Sequence, residues 1–408
     1  MPYAAEAARP TTVGRGRWLI LAAFGLLVAD TQVLWLSFAP ITTQVHQTLG
    51  VSEGAIGDLA AINPLLYVLL AIPAGRWMDR RFGATLALGA ILTATGAALR
   101  AVDSSSYAWL FLGQLLLSAG QPFVLNASTK IAARYFPPAE RTAAISVASA
   151  AQFVGILVAA TTSAPLLRAG GMHLLLATHA LVAVTAAVAV VVALRVPVAF
   201  AADATTSSSI GWLRHDRLLW QLAGLLFIGV GVFNAAATWL DPILDDLGHP
   251  GRGGTLIAVM TVAGIVGASV VPGLAGRRNR RRTVLVMTTV VTMAAFASIA
   301  LVPGIFLIGG ILAVAGFFLL AGLPVALDWS ELESGPARAG VATGLLLLAG
   351  NLGGVVVVLV VQALMGSPYL ALAAMSAVAV PGIVLAARLP ARTRSHRDDD
   401  VPPADVSA

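Results

Sequence analysis

One acidic residue lies in the middle of the first long apolar stretch of the chain. The stretch runs from Trp18 to Pro40 and contains no charged side chain except Asp30. At a rise of about 1.5 Å per residue, Asp30 lies roughly 18 Å along a helix from Trp18, near the middle of a hydrocarbon layer about 30 Å thick. An ionised carboxylate at that depth is costly unless it is paired, hydrated or protonated, so Asp30 is a candidate functional residue.

Asp30 permits two kinds of functional chemistry. It can carry a proton, staying neutral while it is buried and ionising when the site opens to water. It can instead pair directly with a cationic solute, and competition between both ligands for one carboxylate gives the simplest proton antiport. A third interpretation is structural: a neutral carboxylic acid that is hydrogen-bonded to a neighbouring helix.

Amide and indole side chains at membrane depth complete the candidate site. Such groups bind polar solutes, but Asn and Gln also join membrane helices, and Trp also anchors helix ends at the membrane interface. Because most of the amides lie in the first half of the chain, we expect that half to hold the solute while the second half closes over it. The candidate substrate-binding or proton-coupling residues are Asp30, Gln32, Trp35, Asn63, Gln114, Gln121, Asn126, Gln152, Asn234 and Trp239.

The composition is that of a polytopic membrane protein. Hydrophobic residues make up 58% of the chain and charged residues 11%, with a mean hydropathy of +0.88, whereas soluble domains are about 25% charged. The sequence contains no cysteine, which excludes disulfides and thiolate chemistry. The six histidines include no H-x-x-x-H pair, and neither a nucleotide-binding loop nor a G-x-S-x-G motif is present. We therefore predict no enzyme, no cofactor and no metal site.

Apolar segments of membrane length occur six times on each side of a polar stretch that is rich in Ser and Thr. The first six are 18–43, 54–75, 84–102, 107–132, 142–166 and 172–195, and the other six are 218–244, 254–275, 283–302, 304–329, 338–365 and 368–389. The predicted fold class is an all-α membrane protein with 12 transmembrane helices in two six-helix bundles. Its predicted regions are a cytoplasmic N-terminus at 1–17, a bundle at 18–196, a cytoplasmic linker at 197–216, a bundle at 217–390 and a disordered cytoplasmic tail at 391–408.

The distribution of basic residues indicates the orientation. With the N-terminus inside, only Arg100, Arg168 and Arg252 of the 25 Lys and Arg residues fall outside. The positive-inside rule then places both termini in the cytoplasm of a multi-pass protein of the plasma (inner) membrane. The same distribution explains the sequence pI of about 10.4 by a basic rim facing anionic lipid, which argues against nucleic acid as a partner.

Four short fragments recur in the second half of the chain at an offset of about 200 residues, which indicates an internal repeat. Since six predicted helices separate equivalent positions, the two halves have the same orientation and are related by an axis along the membrane normal. The fragments are Ala119-Gly-Gln-Pro122 with Ala321-Gly-Leu-Pro324, Gln152-Phe-Val-Gly155 with Asn351-Leu-Gly-Gly354, Gly75-Arg76 with Gly276-Arg277, and Trp35-Leu36 with Trp239-Leu240.

The segment Gly75-Arg-Trp-Met-Asp79-Arg80-Arg81-Phe-Gly83 resembles the G-x-x-x-D-R-x-G pattern of the major facilitator superfamily, with the last glycine one position late. Gly75 allows close approach of another helix, and Asp79 can accept hydrogen bonds from a helix N-terminus or pair with a nearby cation. We expect a gating latch made of Gly75, Asp79, Arg80, Lys130 and Arg134; alternatively, the arginines only fix the topology. The equivalent loop, 276–282, lacks the acid, so the sequence does not predict a second latch of this kind.

A narrower resemblance covers about residues 24 to 240 and rests on Leu112-Gly-Gln-Leu-Leu-Leu-Ser-Ala-Gly-Gln121, Ile131-Ala-Ala-Arg-Tyr-Phe136 and Ala151-Gln-Phe-Val-Gly155. These stretches are similar to the feline leukaemia virus subgroup C receptor-related family, which includes choline and ethanolamine transporters and proteins linked to haem. The resemblance implies that Gln121 and Gln152 line the central cavity. Where the choline carriers have an aromatic pair, this sequence has Val33 and Asn234.

The predicted function is secondary active transport of a small organic solute, with amines and cations among the candidates, by alternating access with proton coupling through Asp30. A drug or metabolite efflux proton antiporter is an alternative, although the fifth predicted segment, 142–166, lacks the antiporter pattern G-x-x-x-G-P-x-x-G-G. A non-transporting membrane receptor on the same fold is an alternative of another class. The expected partners are the solute, protons and membrane lipid, and we expect a monomer.

Overall fold

The computed structural model of the protein describes residues 13–200, 211–249 and 252–390, and every regular element in these ranges is helical. This confirms the predicted all-α class. The predicted tail, 391–408, lies outside the described residues, as do parts of the predicted N-terminal segment, 1–17, and of the linker, 197–216. The first helix begins at Val13, before the predicted start at Trp18.

Ten helices in the described residues are long and apolar enough to cross a membrane, if α5 and α6 are taken as one span. The first half contains α1 (Val13–Leu36), the short α2 (Thr42–Leu49), α3 (Glu53–Arg80), α4 (Phe82–Val102), α5 (Tyr107–Leu125), α6 (Ser128–Tyr135) and α7 (Pro138–Ala193). The second half contains α8 (Arg217–Asp246), α9 (Gly253–Arg277), α10 (Arg281–Ile299), α11 (Ile305–Gln362) and α12 (Pro368–Ala387). Short 3-10 helices at Ala39–Ile41 and Gly211–His215 precede α2 and α8.

Two helices, α7 with 56 residues and α11 with 58, are each nearly three times as long as a ~30 Å hydrocarbon layer requires, and each contains an interruption. In α7 the backbone leaves the helical conformation at Gly170 and Gly171, and Gly171 has a φ of 66°. In α11 Gly335 has a φ of 68°. This left-handed conformation favours glycine because it has no Cβ to clash. Both interruptions fall between segments that the sequence predicts as separate helices.

Helix packing follows the internal repeat. Within the first half α1 packs on α7 and α4 on α5, and within the second half α11 packs on α8 and α9. A Cβ at Gly155 of α7 would collide with the carbonyl of Ala29 in α1, and a Cβ at Gly353 of α11 would collide with the carbonyl of Phe227 in α8. The two contacts occupy equivalent positions, because Gly353 follows Gly155, and Phe227 follows Ala29, by the same 198 residues. Small residues at equivalent crossings therefore bring the same pair of helices together in each half.

We predict that Gly155→Ala destabilises the protein, because the added methyl group has to displace the backbone of α1. Overpacking of this kind costs about 1–3 kcal/mol, and the melting temperature in detergent, followed by tryptophan fluorescence, should fall. Gly310→Ala is the matched control, since nothing lies within 4 Å of a Cβ built at Gly310 of α11. Equal melting temperatures for the two variants would contradict the proposed packing.

Candidate functional site

A cavity lies between the two halves of the chain. Both halves line it, through α1, α5 and α7 on one side and α8, α10, α11 and α12 on the other. The sequence led us to expect the solute in the first half, and that half provides only part of the lining. No charged side chain of the described residues lines the cavity. Its polar and aromatic lining consists of Gln32, Trp35, Gln121, Gln152, Phe153, Phe233, Asn234, Thr288, Thr289, Thr292 and Asn351.

Helical spacing turns these side chains toward the cavity. Thr288, Thr289 and Thr292 lie within about one turn of α10, and Gln32 and Trp35 are three residues apart on α1. The indole Nε1 of Trp35 donates a hydrogen bond of 2.9 Å to the carbonyl of Ala60, which orients the ring. The side-chain nitrogen of Gln152 is buried and has no hydrogen-bond partner among the described residues.

Two phenylalanines meet across the cavity from the two halves. Phe153 of α7 and Phe233 of α8 have ring centroids 6.3 Å apart at an interplanar angle of 68°, an edge-to-face arrangement. Neither was singled out from the sequence, because an isolated Phe in a membrane helix is indistinguishable from a lipid-facing or core residue. The faces of such rings attract cations, and quaternary ammonium groups in particular.

Of the ten candidate residues, Gln32, Trp35, Gln121, Gln152 and Asn234 line the cavity and the other five do not. Three of those five bind other parts of the protein. Asn126 accepts a hydrogen bond from the hydroxyl of Tyr67 and donates one to the carbonyl of Ala71, both at 2.8 Å. Gln114 accepts from Arg100 at 3.1 Å, and Trp239 donates to the carbonyl of Val358 at 3.2 Å. Asn63 is buried, and neither polar atom of its side chain has a hydrogen-bond partner within the described ranges.

Asp30 is buried inside the first half and does not line the cavity. Neither of its carboxylate oxygens has a hydrogen-bond partner among the described residues. The positive charge of Arg100 acts on Asp30 electrostatically without a direct ion pair. Arg100 was predicted to lie outside as one of three arginines in outer segments, whereas the structure buries it in the last turn of α4.

The predicted latch residues Gly75, Asp79 and Lys130 come together where α3 meets α11. The carboxylate of Asp79 accepts hydrogen bonds from the backbone N–H groups of Gly340 at 2.8 Å and Val341 at 3.1 Å. Lys130 pairs with the same carboxylate at 2.9 Å. A Cβ at Gly75 would lie 2.7 Å from the carbonyl oxygen of Gly340, so only glycine permits this approach.

The other two predicted latch residues lie apart from this contact. Arg80 is exposed at the end of α3, and the guanidinium of Arg134 lies over the ring of Phe82, 5.2 Å from its centroid. A further contact joins the halves beside Asp79, where the hydroxyls of Thr129 and Thr343 are 2.6 Å apart. Asp79, Lys130, Thr129 and their partners in α11 thus form one buried junction, which we name the α3–α11 latch.

Comparison with known proteins identifies this architecture. The family model of the major facilitator superfamily matches residues 17–358, which is most of the chain. The chain belongs to the major facilitator superfamily. Membership confirms the first resemblance and indicates a membrane transporter rather than an enzyme.

Relatives within the superfamily confirm the narrower resemblance. The chain is 32% identical over 286 residues to solute carrier family 49 member A3 of Danio rerio, covering 65% of this chain and 60% of that protein, which is under two thirds of its length. It is 26% identical over 381 residues to the member of the same name from Xenopus tropicalis, covering 85% and 78%. It is also 30% identical over 150 residues to the human choline/ethanolamine transporter FLVCR2, covering 36% and 28%.

Solved structures show the same fold at low sequence identity. The human organic anion transporter MFSD10 superposes with a TM-score of 0.76 and 14% identity, covering 91% of this chain and 99% of that one. A bacterial homologue of the iron transporter ferroportin superposes with a TM-score of 0.75 and 14% identity, covering 91% and 98%.

A second set of polar contacts joins the halves of this superfamily member near the α3–α11 latch. Arg141 of α7 pairs with Glu331 of α11 at 3.0 Å, and the hydroxyl of Thr142 donates to Asp328 at 2.6 Å. Arg281, the first residue of α10 and part of the segment 276–282 that lacks an acid, pairs with Asp328 at 2.5 Å. The second half thus has a charged junction in which the start of α10 supplies the cation and α11 supplies the acids.

We predict that Asp79→Asn opens the α3–α11 latch, because an amide cannot accept both backbone N–H groups and also pair with Lys130. The chain has no cysteine of its own, so the double substitution Thr129→Cys and Thr343→Cys reports on closure through the yield of disulfide under mild oxidation. We expect a high yield in the otherwise unchanged protein and a reduced yield with Asp79→Asn. Asp58→Asn, an exposed acid at the other end of α3, is the control and should leave the yield unchanged. A yield that Asp79→Asn also leaves unchanged would rule out a closing role for Asp79.

Proposed function

We propose that this protein is a secondary active transporter that moves a small organic solute across the plasma membrane by alternating access, as a monomer. The observation that carries the proposal is the position of the uncharged, amide- and aromatic-lined cavity between the two halves, which are joined at one end by the α3–α11 latch. Release of that latch would let the halves rock about the cavity. The excess of basic residues at the latch end supports a cytoplasmic position for this end and for both termini.

The proposed architecture has twelve membrane spans. The interruptions at Gly170-Gly171 and at Gly335 divide α7 and α11 into two segments each, and every one of these segments is long enough to cross the bilayer. With the remaining eight spans, this makes two groups of six. The equivalent contacts of Gly155 and Gly353 support two bundles built on one plan.

The proposed solute is an amine, a quaternary ammonium compound or a neutral polar molecule. The amides of the lining offer hydrogen-bond donors and acceptors, and the aromatic faces of Trp35, Phe153 and Phe233 offer the π surface that stabilises a soft cation without a carboxylate. The similarity to a relative named as a choline/ethanolamine transporter supports this class. Because Phe153 and Phe233 are not at the positions of the family's aromatic pair, the geometry of solute binding would differ from that of the relative.

Asp30 is the proposed coupling residue and would act by taking up a proton. Since it does not line the cavity, direct pairing with a cationic solute is not favoured, and neither is an efflux mechanism that depends on competition for its carboxylate. Its burial without a hydrogen-bond partner supports the neutral form, because an ionised carboxylate without a partner is strongly disfavoured in a low-dielectric environment.

We predict that Asp30→Asn uncouples solute movement from the proton gradient. In liposomes that contain only this protein, labelled choline should accumulate under an imposed pH gradient, and the variant should lose this accumulation but retain exchange of choline across the membrane. The exposed Asp103, which accepts hydrogen bonds from Ser105, gives the control variant Asp103→Asn. Accumulation that survives Asp30→Asn would contradict the coupling, and no movement of any tested amine in the unsubstituted protein would favour the receptor interpretation.

We predict that Phe233→Leu weakens binding of choline more than binding of its neutral isostere 3,3-dimethylbutan-1-ol. The two ligands share one shape, so their difference isolates the attraction between the cation and the ring, which is worth about 0.5–2 kcal/mol. Thermal stabilisation of the purified protein by each ligand measures the effect, and Phe306→Leu, at an exposed position of α11, is the control. Equal losses for the two ligands would show that the ring contributes only apolar contact.

A further inference from the structure

Four buried polar residues from four helices surround one small apolar cluster in the first half. The cluster consists of Leu34 of α1, Ala97 of α4, Leu117 of α5 and Ala183 of α7. Each polar residue lies three or four positions, one helical turn, from the cluster member on its own helix. The four are Asp30, Arg100, Gln114 and His179, and none is more than 4% exposed.

Interactions among the four residues indicate a single site. The guanidinium of Arg100 donates to the side-chain oxygen of Gln114 at 3.1 Å, to the hydroxyl of Ser37 at 2.7 Å and to the carbonyl of Leu34 at 2.9 Å. The ring of Phe38 lies against it, with the centroid 4.5 Å away. The charge of Arg100 acts electrostatically both on Asp30 and on His179. Arg100 is thus a buried cation whose charge acts on both an acid and a base.

Many polar atoms of this site lack a hydrogen-bond partner in the part of the chain that the structure describes. They are both carboxylate oxygens of Asp30, both ring nitrogens of His179, Nε of Arg100, Nε2 of Gln114 and the hydroxyl of the neighbouring Ser118. Buried polar groups are nearly always hydrogen-bonded, and ordered water supplies the partner where protein does not. So many unpaired donors and acceptors on the same four helices, α1, α4, α5 and α7, indicate that water is bound among them.

The site is separate from the solute cavity, and α1 divides the two. None of Asp30, Arg100, Gln114 and His179 lines the cavity, whereas Gln32 and Trp35 do. Because successive residues of a helix are about 100° apart, Asp30 and Gln32 point from nearly opposite faces of α1. One face of α1 therefore carries Asp30 toward this buried polar site, and the other face lines the solute cavity.

We propose that α1, α4, α5 and α7 enclose a hydrated proton-binding site, distinct from the solute cavity, in which Asp30 takes up the proton and His179 relays it. The proposal rests on the proposed function, because a bound proton has a role only in a coupled carrier. Asp30, Arg100 and His179 are the titratable and charged groups that face the site, and α5 contributes the uncharged Gln114 and Ser118. The sequence of α3, which also contacts α1, has no charged residue between Asp58 and Arg76.

The transfer needs no reactant other than a proton. A proton carried by water binds one ring nitrogen of His179 while the proton on the other ring nitrogen passes through water to Asp30. An O–H bond forms on Asp30, and His179 is again neutral as the opposite tautomer. Reversal of these steps releases the proton.

Binding of the proton to Asp30 affects the solute cavity through a shift of α1. When Asp30 becomes neutral, its attraction for Arg100 disappears. Arg100 holds Leu34 and Ser37 on α1, and these residues flank Trp35, which lines the cavity. A change in the position of Arg100 would therefore shift the part of α1 that carries Trp35.

Infrared spectroscopy of the purified full-length protein in lipid nanodiscs, without any solute, tests the proton on Asp30. Between about pH 5 and pH 9, the range in which a buried carboxyl can titrate, we expect a carbonyl band of a protonated carboxylic acid that disappears in Asp30→Asn. Gel filtration and thermal melting establish that the variant is folded. Subtraction of the Asp30→Asn spectrum removes the bands of all other carboxyl groups, and a difference spectrum without a carboxylic acid band would overturn the site.

The role of His179 is tested by the rate at which the acid proton of Asp30 exchanges for deuterium in D₂O, measured from the shift of this carbonyl band. General acid–base groups accelerate proton transfer by about 10²-fold or more, so His179→Gln should slow the exchange by about that factor. His173→Gln is the control, because His173 lies on the same helix and is exposed. If the His179→Gln variant does not fold, His179→Asn replaces the imidazole ring with a smaller side chain. Equal exchange rates in the variants at positions 173 and 179 would overturn the role of His179.

This experiment separates the proton site from the carrier proposal. Because it requires no solute, an intact Asp30 band together with a lack of transport contradicts the carrier alone. Proton-driven transport without an Asp30 band contradicts the site alone.

Discussion

The hydrocarbon interior of a bilayer offers no hydrogen-bond partner, and this constraint determines where the polar side chains of the chain lie. Asn126 and Trp239 donate to backbone carbonyls of neighbouring helices, and Arg100 is held by a carbonyl, a hydroxyl and an amide. Such contacts require close helices, which glycines such as Gly155 and Gly353 permit. Glycines at the helix crossings therefore make possible the hydrogen bonds that pair buried polar side chains between helices.

The same constraint separates charge from the solute cavity. The lining of the cavity is uncharged. Asp30 of α1 and Arg100 of α4 are buried away from the cavity, and Asp79 and Lys130 lie in the α3–α11 latch. A charge in a cavity that opens alternately to two sides needs compensation in every state, because its solvation changes with each opening. Amides and aromatic rings avoid this requirement, since they interact with water and with a solute without a net charge to neutralise.

The sequence predicted the architecture better than the site. Apolar segments and repeated fragments were sufficient for the helices, because length and hydropathy alone decide whether a segment can span a membrane. The structure places Gly75, Asp79 and Lys130 of the latch motif together, since a carboxylate one helical turn from a glycine at a helix end has few partners. Arg80 and Arg134 lie elsewhere, because a basic residue at the membrane surface can interact with lipid or an aromatic ring equally well.

Residues inside the bundle were harder to assign, because depth in the membrane can be read from sequence but the neighbouring helix cannot. Gln121 and Gln114 are both amides of α5, yet only Gln121 lines the cavity. Arg100 was assigned to the outside because it lies in the last turn of α4, and only its contacts with Leu34 and Ser37 show that it points inward. Phe153 and Phe233 come together only because two halves far apart in sequence place their rings edge to face.

The two junctions between the halves use opposite arrangements of charge and respond differently to movement. Asp79 binds two backbone N–H groups at Gly340 and Val341, so a small rotation of this part of α11 against α3 breaks both bonds together. Arg141 and Glu331 meet through long side chains, which can follow a displacement before they separate. The first junction is therefore sensitive to the orientation of the helices, and the second tolerates their displacement. Relative motion of the halves would meet its sharpest resistance at Asp79, and the arginine pair would continue to hold the halves after that contact is lost.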